Sequence, residues 1–441
     1  MDNKHITSYT SLIAEYTFIA YFFVISFFPF SADILKLLCL LTVIGCWTAK
    51  MLSEKKVLFM KTELTVPIFS FLLCSLAASF HSVRIQYSLG TIFHDYLTYF
   101  IIFFCMVNTI QSQEQIKRIV TAMLITCGLV CTYGLYGYYT GIAIRDERLV
   151  ATFEYHSRIA KYISLVLPIA VCLFFYYKKR VSRLCVTVLI FLCSFSLILT
   201  MNRTSWVAIL VTTFFICFAA QKRYLIFLLI GMCTLCIFIL PSRFITQVKT
   251  VAQVNKFFTS EEILGERLLC WKASIAIVKD HPVLGIGPGK RNFRDVYQQY
   301  AEKIRNTEKQ QKNETVGQSQ ETKVKRKARI KNIERLSHPH NVFLHLLVES
   351  GILGLLTFLW LFAMVFYTAI RSWRLSRSEY EKALLMGIAA SLISIFLHGF
   401  TDSFWKKPDA LFLWHIIGIL FVVIHHASNC EQTNNCYNKE V

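Results

Sequence analysis

Two histidines flank Pro339 where a long polar stretch gives way to a long apolar one, in Ser337-His338-Pro339-His340-Asn341-Val342-Phe343-Leu344. Proline disfavours helix at the residue before it, and Asn341 is a good N-cap, so His340 is expected at the mouth of a helix that begins at Val342. Such a helix end offers free N–H groups and partial positive charge. Both attract an anionic pyrophosphate, and both keep a nearby imidazole neutral and able to accept a proton. His340 is therefore the candidate general base, with His338 able to share or replace it. Paired histidines can also bind a metal, but the large polar loop sets no Asp, Glu or Cys at ligand spacing beside them. The base reading thus stands ahead of the metal reading, and both ahead of a bland interfacial role. Glu349 lies about 13 Å further along a continuous helix and reads as a buried hydrogen-bonding partner. Gly351 and Gly354, one turn apart, would let a neighbouring helix approach closely.

Two arginines are candidates for holding phosphate. Arg203, in Thr200-Met201-Asn202-Arg203-Thr204-Ser205-Trp206, sits between two apolar runs that leave almost no loop. A snorkelling arginine is the simple reading, but its polar neighbours point to a recessed pocket, and charge at membrane depth marks function. Arg267 opens a segment in which Leu264, Leu268, Trp271, Ile275 and Val278 recur at spacings of three and four. That spacing predicts an amphipathic helix lying on the membrane or on the helix bundle, with Arg267 beside its apolar face. Gly285-Ile286-Gly287-Pro288-Gly289 follows a helix and not a strand, so it reads as a turn and not as a nucleotide loop. No Asp-x-Asp pair appears in the connections on this side, so arginines would have to neutralise a leaving phosphate.

The elements that must carry these residues are membrane helices. Of 441 residues 55% are hydrophobic and 17% charged, outside the balance of a soluble domain. Apolar runs long enough to cross about 30 Å of hydrocarbon recur at 12–30, 33–49, 64–80, 90–109, 119–139, 159–177, 184–201, 204–220, 223–240, 342–370, 383–401 and 409–427. The first run lacks a cleavage site, so it is expected to stay. Alternate short connections carry 16 Lys/Arg against 9 on the other side. The positive-inside rule therefore puts both termini in the cytoplasm and the 241–340 loop outside.

That loop holds 20 Lys/Arg and 10 Asp/Glu. A basic surface there suits anionic headgroups or a pyrophosphate-linked substrate, and nucleic acid is excluded on that side. Residues 301–322 read as a mobile insertion ahead of the basic run Lys323–Lys331, a solvated charge cluster or a lipid site. Twelve of the fifteen cysteines lie in apolar runs, and the loop has only Cys270, so it cannot staple itself. Cys233 and Cys236 form a C-x-x-C inside one run and read as packing residues.

The chain resembles the bacterial O-antigen ligase family, which includes related polymerases and protein-linked oligosaccharyltransferases. The resemblance rests on His340-Asn341, nine residues, Gly351, two residues, Gly354, supported by Arg203 after a membrane helix, Arg267 with Trp271, and Gly285-x-Gly287-x-Gly289 before Phe293. It implies an all-α polytopic membrane protein of about twelve helices, GT-C-like, in the bacterial inner membrane. One large periplasmic loop with short amphipathic helices would face the active site. Its parts would be helices 1–9 in residues 1–240, the loop at 241–340, helices 10–12 in 341–427 and a cytoplasmic tail at 428–441.

The implied donor is a glycan on undecaprenyl pyrophosphate, and the acceptor is a sugar hydroxyl of lipid A–core. Membrane lipids would be further partners, with no metal and no cofactor. By the resemblance, His340 removes the acceptor proton and Arg203 and Arg267 hold the pyrophosphate, with His338, Asn341, Trp271, Gly351 and Gly354 in support. A polymerase of the family would use the same residues with a second lipid-linked glycan as acceptor. A secondary transporter or flippase is the unlike alternative, against which the one-sided loop and sparse intramembrane charge stand.

Overall fold

The protein, seen in a computed structural model that describes residues 3–56, 59–220, 263–315 and 338–437, is almost wholly helical. In chain order its helices are α1 (Asn3–Phe27), α2 (Asp33–Glu54), α3 (Thr65–Phe80), α4 (Ile85–Thr91), α5 (Leu97–Thr109), α6 (Gln113–Thr140), α7 (His156–Tyr176), α8 (Arg180–Leu199) and α9 (Arg203–Ala219). After them come α10 (Ile263–Asp280), α11 (Lys290–Thr315), α12 (Val342–Leu375), α13 (Glu379–Gly399) and α14 (Asp409–Tyr437). A two-stranded hairpin, β1 (Ile144–Arg145) and β2 (Arg148–Leu149), joins α6 to α7.

Nine spans among the described residues are long and apolar enough to cross a membrane, α4 and α5 counting as one because the π-helical turn Ile92–Tyr96 joins them. The predicted runs at 64–80 and 204–220 are the shorter apolar helices Thr65–Phe80 and Arg203–Ala219. The run at 223–240 and its cysteines lie outside the described residues. The chain is thus an all-α polytopic membrane protein. Helices α7, α13 and α14 form its centre, with α13 packed along α7 and α9, and α14 on α5. Aromatic edges lock that centre, as where Phe100 and Phe103 meet Trp414 at centroid distances of 4.8 and 5.7 Å.

The signature glycines work differently from the expected helix–helix contact. Gly351 interrupts α12 with φ 62° and ψ −165°, and the backbone groups freed there are taken by the glycine-rich turn. Ile286 N–H donates to Val348 O and Gly287 N–H to Glu349 O, each at 2.9 Å, while Ile352 N–H donates to Pro282 O at 2.9 Å. A Cβ on Gly351 would lie 2.1 Å from Val283 O, and one on Gly285 would lie 2.4 Å from Val348 O. Gly354 is held to glycine from within its own helix, since a Cβ there would meet Ser350 Cβ at 2.2 Å. The partner of Gly351 is therefore a backbone turn, and neither glycine meets another helix.

Two further expectations change. Helix α11 runs through Thr315, so much of the supposed mobile insertion is helix; the basic run Lys323–Lys331 lies outside the described residues. Helix α10 forms as predicted, but its buried face is Leu269, Cys270, Ala273 and Ile277, packed on Phe293, Tyr297 and Val348. The predicted apolar face, with Leu268, Trp271 and Ile275, stays exposed. Both faces are apolar, so periodicity alone could not choose between them.

Candidate active site

One end of the bundle gathers the start of α7, the starts of α9, α12 and α14, the hairpin, the glycine-rich turn and the connection 400–408. Asn341 caps α12 by accepting from Leu344 N–H at 2.9 Å, and its amide donates to Phe400 O at 3.2 Å. The cap therefore fixes the histidine segment to the 400–408 connection. Trp271 Nε1 donates to Pro339 O at 2.8 Å, which fixes the same segment from the α10 side. His340 is held with φ 52°, a left-handed conformation costly for a residue with a side chain and common where function demands it.

At the centre of this end stands Asp402, which sequence reasoning did not single out. Its Oδ1 lies 3.1 Å from His338 Nε2 and 3.6 Å from His340 Nδ1, and the two imidazoles are 4.4 Å apart between centroids. Both rings thus converge on one carboxylate across Pro339. The Oδ1 atom also accepts from Ser403 N–H at 2.8 Å, while Oδ2 takes Lys161 Nζ at 3.0 Å. Lys161 bridges on to Asp409 at 2.5 Å. Because His340 meets Asp402 through Nδ1, its Nε2 is turned to the opposite side of the ring, where a substrate hydroxyl can reach it. His338 spends its Nε2 on the carboxylate and is the more buried of the two, its side chain 15% exposed against 28%.

Burial acts on Asp402 to raise its pKa, but Lys161 and the two histidines outweigh it and hold the carboxyl well below the usual range. Burial and the charge of Lys406 push His338 down, so its imidazole is neutral near pH 7. Lys406 is itself lowered to about 7, chiefly by burial, with Lys290 adding to the shift and Glu349 opposing it. Glu349 is the buried partner that was expected. It accepts from Gly289 N–H at 2.8 Å and from Tyr96 O–H at 3.2 Å, and it lies 3.0 Å from His345 Nε2. His345 reaches Ser403 Oγ at 2.8 Å through Nδ1, so the glycine-rich turn connects to the Asp402 connection through side chains alone.

Arg203 begins α9 behind Asn202, whose side chain accepts from Ser205 N–H at 3.1 Å. Thr204 Oγ1 lies 2.9 Å from Thr401 Oγ1, which joins the residue after Arg203 to the residue preceding Asp402. Arg148 of the hairpin is close enough to repel Arg203 electrostatically, and its Nη1 contacts His156 Nε2 at 2.9 Å. Arg158 donates to Lys407 O at 3.5 Å and covers the Phe30 ring. Arg267 is exposed on α10 one turn before Trp271, and the structure does not bring it into contact with Asp402 or the histidines.

His338, His340 and Asp402 also place their ligand atoms within 4.8 Å of one another, which is metal-like spacing. The carboxylate companion missing from the large loop is thus supplied from 400–408. Its electrostatics oppose a cation, because Asp402 is already neutralised by Lys161, and Lys406 acts on the same groups.

A helical membrane bundle with a histidine–carboxylate cluster ringed by cations at one end has the parts of a group-transfer enzyme acting on an anionic donor. The O-antigen ligase family model matches residues 188–359, which contain Arg203, Arg267, both histidines and the signature glycines. Over that stretch the chain is similar to this family, whose members are membrane glycosyltransferase-like ligases and polymerases. No curated protein matches the chain.

Sequence reasoning missed Asp402, Lys161, Lys406 and Arg148. The signal was present for Asp402: a single acid in the connection between the last two apolar runs, on the side of the membrane where His340 was expected.

Proposed function

We propose that this protein transfers a glycan from undecaprenyl pyrophosphate to a sugar hydroxyl of lipid A–core at the periplasmic face of the inner membrane. The observation that carries the reading is the convergence of His340 and His338 on Asp402 beside Arg203 and Arg148. His340 Nε2 accepts the proton of the acceptor hydroxyl. The hydroxyl oxygen then bonds to the anomeric carbon from the face opposite the pyrophosphate. The carbon–oxygen bond to the leaving group breaks with its electron pair going to undecaprenyl pyrophosphate, so the anomeric configuration inverts.

Asp402 is a positioning residue: it orients His340 through Nδ1 and stabilises the imidazolium that forms. Arg203, with Arg148 beside it, receives the pyrophosphate, and Arg267 reaches it from α10. Burial first, and the charge of Arg148 second, act against the charge on Arg203, so an anionic donor there would be favoured. The proposed chemistry uses no metal and no cofactor.

A polymerase of the same family would share this machinery and differ only in acceptor. A deletion strain distinguishes the two by its lipopolysaccharide ladder. Loss of a ligase leaves core without O-antigen, the expected result; core bearing a single repeat would assign the polymerase reaction instead.

A further inference from the structure

Away from that site, three thiols converge in the interior of the bundle. Cys127 and Cys131, four residues apart on one face of α6, meet Cys193 of α8, and all three are fully buried. Cys193 Sγ lies 3.6 Å from Cys127 Sγ and 3.8 Å from Cys131 Sγ, and the three sulfurs lie within 4.8 Å of one another. A metal–sulfur bond of about 2.3 Å sets ligand sulfurs about 3.8 Å apart at a tetrahedral angle and about 4.0 Å apart at a trigonal one. The thiols thus already stand close to ligand spacing. A disulfide would use two of them and leave the third unexplained.

We propose that Cys127, Cys131 and Cys193 form a binding site for a monovalent thiophilic cation, Cu(I), seated between α6 and α8. Soft sulfur ligands select Cu(I) over the hard cations. The surroundings argue for low charge, since a net charge at membrane depth is expensive. Cu(I) that displaces one thiol proton leaves one thiolate and two neutral thiols, a neutral site, and the proton passes to water. A divalent ion would have to displace two protons for the same neutrality. The site shares no residue with the Asp402 cluster, and its occupancy pins α6 to α8.

The test titrates full-length protein, purified and fully reduced in detergent, with Cu(I) under nitrogen against a competing copper chelator. Wild type should hold one tight equivalent with sulfur-only coordination at about 2.3 Å by X-ray absorption. Cys193→Ser should weaken that equivalent more than the 10–100-fold or so lost on changing an outer partner. Cys172→Ser with Cys217→Ser, two buried cysteines elsewhere, should retain it. Should Cys193→Ser not fold, Cys131→Ser removes a ligand from α6 instead and carries the same expectation. Equal titration of wild type and a Cys127→Ser, Cys131→Ser, Cys193→Ser triple variant would overturn the site. So would a Cys193 disulfide in the protein as isolated from the membrane, which would make the cluster a redox link.

Discussion

At the scale of single residues, the carboxylate of Asp402 decides what the histidines do. The histidine pair and Arg203 were legible from the sequence because proline, an N-cap and a loopless polar turn have local meanings. Asp402 was not, because its separation of 62 residues from His340 is closed only by the packing of α12 against α13. Lys406 adds a pH dependence. Its pKa of about 7 lies below the usual lysine value, so it is charged in the folded protein only as pH falls through 7. Glu349, Asp402, Lys161 and Lys290 are among the charged groups that act on it, and it acts in turn on His338. An anionic donor should therefore bind more tightly at pH 6 than at pH 8, the affinity falling by up to about tenfold per unit above 7. Lys406→Met should flatten that dependence. Isothermal titration with a lipid pyrophosphate analogue at three pH values measures it, and an unchanged slope in the variant would show that Lys406 does not act on the donor.

At the scale of elements, the break in α12 is what carries the glycine signature. A spacing of Gly-x-x-Gly reads equally well as a helix-packing stripe, and nothing local distinguishes that from a kink whose carbonyls are taken by a turn 62 residues earlier. Gly285 and Gly351 are the two sides of one contact, each with positive φ and each closed to a Cβ by a backbone carbonyl. Gly351→Ala should add backbone strain of about 1–3 kcal/mol to the steric clash, and Gly285→Ala should do the same. Because either change opens the same contact, the double variant should be clearly less destabilised than the sum of the singles. Thermal melts in detergent measure all three, and strict additivity would show that the turn and the kink are not one unit. Helix α10 carries a parallel lesson. With apolar residues on both faces, its register against α11 is chosen by the burial of Cys270 and Ala273, small side chains that allow close approach.

At the scale of the whole molecule, hydropathy locates the nine long apolar helices found among the described residues, because the bilayer demands long apolar helices and little else. The Lys/Arg bias of the short connections predicts that the Asp402 end faces the periplasm. Cys270 cannot report this, since it is fully buried and its thiol is pushed up to about 12. A cysteine at exposed Glu302 should react with an impermeant maleimide in intact spheroplasts, and one at exposed Glu379 only after permeabilisation. The reverse pattern would invert the topology.

The central claim is metal-free proton abstraction by His340, and purified variants with lipid-linked glycan and lipid A–core test it most directly. General-base help is worth about 10²–10⁴-fold in rate, so His340→Ala should lose transfer by that factor while still binding donor. Asp402→Asn, which keeps the shape but not the charge, should lower the turnover and shift its pH profile, while His338→Ala should cost less. Wild-type product formation should be unchanged by chelator. Full activity of His340→Ala, or chelator-sensitive activity restored by a divalent metal, would contradict the account.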